Sequence, residues 1–130
     1  LQFTRKRIYK EQVMGFSIFL KLLVWKFKRI LKTNKGFKKF LMGHECRIVI
    51  KTKDGKKGKR FIFENGGFSS DNALGDYDAA MIWSDAKAAF RSMKEGEDGI
   101  KRALQNHQVS IDGQVHSFTW FGAALKFVTI

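Results

Sequence analysis

Residues 11–32, EQVMGFSIFLKLLVWKFKRILK, place Phe16, Phe19, Leu20, Leu23, Phe27, Ile30 and Leu31 on one broad side at helical spacing. Ser17, Lys21, Lys28 and Lys32 share the opposite side with Arg29 beside them, while Trp25 and Lys26 blur the boundary. Lys21 divides the apolar part, and no run of about 18 residues is free of charge. The pattern therefore predicts an amphipathic helix, not a membrane span. TNKGFKKFLMG then predicts a break and a short second helix that gathers Phe37, Phe40 and Leu41 on one side.

From residue 45 the period drops to two. Cys46, Ile48 and Ile50 alternate with Arg47, Val49 and Lys51, which predicts a half-buried strand. KDGKKG reads as a turn, RFIFE as a returning strand with Phe61 and Phe63 on one face, and ENGG as a second turn leading to a short strand at Phe68. YDAAMIW predicts a fourth strand, with Ala79, Met81 and Trp83 on one side and Asp78, Ala80 and Ile82 on the other. Ser84 is the expected cap of the next helix, with Asp85 in its first turn; Ala86, Ala89, Phe90 and Met93 form its apolar face. EDGIKRALQN predicts a further helix presenting Ile100, Ala103 and Leu104. HQVSIDG predicts a last strand, and Phe118, Phe121, Leu125 and Val128 have the spacing of a final helix.

This order of elements calls for one globular unit, residues 34–130, preceded by a basic amphipathic helix over 1–33. A chain of 130 residues with 44% apolar positions and thirteen Phe can bury a core and is a poor candidate for disorder. Charge sharpens the division. Residues 1–60 hold 19 Lys/Arg against 3 Asp/Glu, and residues 61–130 hold 6 against 9. A basic front half on a near-neutral back half points to an anionic partner, either lipid or nucleic acid.

Candidate chemistry is sparse. His44, His107 and His116 match no metal-ligand spacing, and the lone Cys46 reads as a small buried hydrophobe. Asp76, Asp78 and Asp85 read as turn and cap groups rather than a general acid–base pair. The glycines of DGKKGK form neither GxxxxGK[ST] nor GxGxxG, so a hairpin loop is the better reading than a phosphate cradle. The expectation is a protein without catalytic residues, cofactor or metal.

The whole set, from FLMG through KTKDGKKGKRFIFENGGFS to YDAAMIWSDAKAAFRSMKEGEDGIKRALQNHQVSIDG, resembles the sterol carrier protein 2 family of lipid-binding domains, in its bacterial form. The resemblance covers residues 34–128 and rests on order and spacing: the strand around Asp78 to Ile82, the capped helix ending near Gly96, and Val109, Ile111 and Gly113 of the last strand. It implies an α+β fold, a five-stranded, mostly antiparallel sheet covered by helices on one face, with the N-terminal amphipathic helix as an addition. It also implies an apolar tunnel between sheet and helices that holds a sterol, fatty acyl chain, phospholipid or isoprenoid-quinone precursor. Candidate lining residues are Phe61, Phe63, Ile82, Phe90, Met93, Ile100, Leu104, Trp120, Phe121 and Leu125, each of which would serve equally as ordinary core.

The lead helix is then expected to touch an anionic membrane surface through Phe19, Leu23, Lys21, Lys28 and Lys32. The expected location is the cytoplasm, with peripheral membrane contact. Nucleic acid is the weaker partner, because the aromatic residues lie opposite the lysines instead of between them. The alternative reading is an assembly module with a collapsed pocket that forms a homo-oligomer through its first helix.

Overall fold

The computed structural model describes the backbone of residues 2–128 and the side chains of residues 14–128. The elements run α1 (Gln2–Thr33), α2 (Lys35–Leu41), β1 (Cys46–Thr52), β2 (Gly58–Glu64), β3 (Gly67–Asp71), β4 (Ala79–Trp83), α3 (Ala86–Lys94), α4 (Gly96–Gln105), β5 (Val109–Gly113) and α5 (Val115–Val128). The strands form one sheet in the order β3-β2-β1-β4-β5. Only β1 and β4 pair in parallel; the other neighbours are antiparallel. This is the expected five-stranded sheet with helices on one face.

Alternation decides what each face carries. Cys46, Ile48 and Ile50 of β1, Phe61 and Phe63 of β2, and Ala79, Met81 and Trp83 of β4 point into the helical layer and are buried. The opposite face is also partly closed, since Val49, Ile62 and Ala80 are buried there too. The cause is the β3–β4 connection, which must pass β2 and β1 to reach its place in the sheet. Arg60 of β2 bonds Asp71 at 2.5 Å and 2.8 Å and Asp76 at 3.2 Å. The Lys51 ammonium donates to the carbonyl of Leu74 at 3.2 Å and lies 5.2 Å from the Tyr77 ring centroid. Tyr77 in turn donates its hydroxyl proton to Asp112 of β5 at 2.5 Å.

Local chemistry explains the element ends. The Asn34 side chain accepts the Phe37 N–H at 3.1 Å and starts α2. Asp85, not Ser84, caps α3: its carboxylate accepts the Ala88 N–H at 2.7 Å, one residue later than the sequence reading places the cap. At the end of β5, Gly113 has φ of 92°, and a Cβ there would run into the carbonyl of Asp78. Only glycine allows the chain to turn that close to β4.

The described side chains of residues 14–33 and 34–128 share one hydrophobic core. Phe16, Leu20, Leu23 and Phe27 of α1 are buried in it alongside Phe37, Ile48, Phe61, Trp83 and Phe121. Phe27 sits at the centre of an aromatic cluster, with the rings of Phe37, Phe61, Phe63, Phe68 and Phe121 between 5.2 and 6.2 Å away. No helix among the described residues is long and apolar enough to cross a membrane.

Candidate ligand-binding cavity

A half-open cavity of about 520 Å³ lies between α1, α4 and α5. Phe19 and Leu23 form its α1 wall, and Met93, Gly96, Ile100 and Leu104 its wall at the end of α3 and along α4. On α5, Phe118, Phe121, Gly122, Ala123 and Leu125 close the third side, while Met81 of β4 supplies the floor. Polar groups in the lining are few: Glu97, Lys101, Thr119 and Lys126. The Lys101 ammonium pairs with Glu97 at 3.6 Å. Thr119 donates its hydroxyl proton to the Val115 carbonyl within α5 at 3.0 Å. An apolar body with a few polar groups is the composition of a small-molecule site, and the volume falls within the usual range.

Three small residues, Gly96, Gly122 and Ala123, stand among the larger side chains that border the space. Gly122 and Ala123 of α5 border the cavity, and a Cβ added at Gly122 meets nothing within 4 Å. Gly96, with φ of 70°, lets the chain turn from α3 into α4 without a straight continuation of the helix.

Met93, Ile100, Leu104, Phe121 and Leu125, five of the ten residues expected to line a pocket, share this wall. The other five lie elsewhere, each for a packing reason. Phe61 and Phe63 point toward the helices but are sealed by Phe27, Phe68 and Phe121, with ring centroids 5.1–6.2 Å apart. Ile82 is on the outer face, because Met81 and Trp83 take the inner positions of β4. Phe90 lies against Gly15 of α1, and the Lys94 ammonium is 4.7 Å from its ring centroid. Trp120 stacks on Phe40 at 5.1 Å and on His44 at 5.5 Å, on the α2 side.

Phe19 and Leu23, expected at a membrane surface, instead line the cavity, whereas Lys21, Lys28 and Lys32 are exposed on the outside of α1. Sequence reasoning missed Met81, Phe118 and Gly122 as lining residues. The run Gly122-Ala123-Ala124 between Phe121 and Leu125 was the available signal.

Asp78 and Cys46 serve the fold. Asp78 accepts the Arg47 backbone N–H at 2.8 Å. Burial, reinforced by the charge of Asp78, pushes the Cys46 thiol up to about 11, and its S–H points to the Ser117 carbonyl at 3.8 Å. Cys46 is thus a protonated core residue at neutral pH. Among the described residues no group of three His, Cys, Asp or Glu is placed to hold a metal ion.

The same architecture occurs in solved structures. Sterol carrier protein 2 from Yarrowia lipolytica, in its apo form, superposes with a TM-score of 0.58 at 18% identity, over 88% of this chain and 93% of that one. A ubiquinone synthesis protein described as UbiJ-SCP2 gives 0.56 at 15% identity, over 83% and 85%. The stereoselective inverting sec-alkylsulfatase Pisa1 from Pseudomonas sp. gives 0.51 at 15% identity; 67% of this chain matches only 14% of that enzyme. No family model matches the sequence, and no curated protein matches it. At these identities the likeness establishes the fold alone, a sterol-carrier-protein-2-like arrangement of helices over a mixed sheet.

Proposed function

We propose that the chain is a non-catalytic lipid carrier that holds one apolar ligand between α1, α4 and α5. The observation that carries this reading is the cavity of about 520 Å³, predominantly apolar in its lining, within a fold whose namesake is a sterol carrier. A core that served packing alone would gain dispersion and burial energy by filling such a space. Here the space stays open, and Gly122 and Ala123 are among the residues that border it. The ligand class is an apolar body such as a sterol, a fatty acyl chain, a phospholipid tail or an isoprenoid-quinone precursor, with any polar head near Lys101 or Lys126.

Gly122→Leu tests this directly. The added side chain enters open space, and leucine favours a helix interior over glycine by roughly 1 kcal/mol, so the variant should fold at least as stably. Binding of a fluorescent fatty acid should fall by about tenfold or more. Native mass spectrometry of protein purified from cells should show a stoichiometric extractable lipid on the parent chain and none on the variant. A ligand-free dimer whose probe response ignores Gly122→Leu would instead support the assembly-module reading and end the carrier proposal.

A further inference from the structure

The outer face of α1 carries a feature that the cavity does not use. Met14, Ile18, Leu22 and Trp25 are 61%, 60%, 44% and 52% exposed. At 3.6 residues per turn they fall within about 80° of one another, a single ridge along the side of the helix opposite the buried Phe16, Leu20 and Phe27. Lys21, Lys28, Arg29 and Lys32 are exposed on and beside the same ridge, and residues 14–33 contain no Asp or Glu. The Arg29 guanidinium lies 5.2 Å from the Trp25 ring centroid, keeping the indole beside a cation at the surface.

We infer that this ridge docks the protein on an anionic lipid bilayer. The apolar side chains would enter the acyl boundary, and the flanking lysines would meet anionic headgroups. Trp25 has the amphipathic ring that suits the interface. Charge complementarity selects this occupant over the others. A second copy would bring two lysine-flanked ridges together and set like charges against each other. A nucleic acid would satisfy the lysines but leave Met14, Ile18 and Leu22 against phosphate and water. The docked helix would also be the cavity wall, since Phe19 and Leu23 on the same turns line the space inside. The inference goes beyond the carrier reading and stands or falls separately from it.

The test is sedimentation of the full chain with vesicles of phosphatidylcholine and phosphatidylglycerol in equal parts. A variant carrying Ile18→Ser, Leu22→Ser and Trp25→Ser removes only exposed groups and should bind at least about tenfold more weakly. A second variant, Lys21→Gln with Lys28→Gln and Lys32→Gln, should lose roughly fivefold for each lysine removed. High salt should release much of the parent chain, and Trp25 fluorescence should shift to the blue with anionic vesicles but not with phosphatidylcholine alone. Fatty-acid probe binding should be unchanged in both variants, and Gly122→Leu should sediment like the parent. Vesicle binding by the serine variant equal to that of the parent would overturn the inference. So would a parent chain that ignores anionic vesicles, or that shows ridge-dependent self-association or DNA binding in their place.

Discussion

Two regions beneath α1, less than three turns apart along the helix, solve the same packing problem in opposite ways. At Phe27, aromatic rings from α2, β2, β3 and α5 converge and fill the space. At Phe19 and Leu23, the facing groups are Met93, Ile100, Leu104, Gly122 and Leu125, and a cavity of about 520 Å³ separates them. One helix is therefore both an anchor and a wall. The aromatic end holds α1 in place, so its other end can border an open space without collapsing into it.

The sharpest way to break the comparison is to truncate one residue at each end. Phe27→Ala should cost about 3–5 kcal/mol, since it empties the centre of a close-packed cluster. Leu104→Ala should cost at most about 2 kcal/mol, because this half-buried side chain already borders open space. Urea denaturation of the two variants measures both. Equal costs would mean that the two ends are packed alike.

The sheet was legible in the sequence because its signals are local. Alternation around Cys46–Lys51, Gly-rich turns and the YDAAMIW strand each required only neighbouring residues, and the α1 stripe of Phe16, Leu20, Leu23 and Phe27 followed from helical period. The cavity was half legible, since Met93, Ile100, Leu104, Phe121 and Leu125 could be picked as apolar residues on helices over the sheet. What sequence pattern did not convey was which apolar groups face one another. Phe61 and Phe63 resemble lining residues until Phe27 is known to cover them, and Trp120 until Phe40 and His44 are known to stack on it. The burial of Val49 and Ile62 on the outer face was likewise hidden, because it depends on a connection crossing two strands.

A smaller effect probes how α1 is set against α3. A Cβ at Gly15 would lie 2.7 Å from the Phe90 ring, so the missing side chain fixes the separation of the two helices. Gly15→Leu should destabilise by about 1–3 kcal/mol through overpacking. Combined with Phe90→Ala, the penalty should fall short of the sum of the single changes, because the leucine enters the space that the ring vacates. Strictly additive costs in a double-mutant cycle would show that Phe90 does not limit the approach. Gly15 alone in a long helical pattern was the sequence signal for this contact.

The smallest expected effect lies on the far side of the sheet, where ions do the work that aromatic rings do beneath Phe27. Hydrogen bonds from Arg60 hold the Asp71 carboxyl down to about 2, helped by the Ala73 backbone N–H. A carboxylate with a depressed folded-state pKa contributes stability in full above its ordinary value of about 3.8, and that contribution is lost as pH falls toward 2. Because Asp71 is 43% exposed, solvent screens the pair, and the loss should stay below about 1 kcal/mol. Thermal melts between pH 5 and pH 2 should thus decline less steeply for Arg60→Met than for the parent chain, as the pair is already gone. A parallel decline in both would place the acid sensitivity elsewhere and leave the β3–β4 connection held by Lys51, Tyr77 and Asp112 instead.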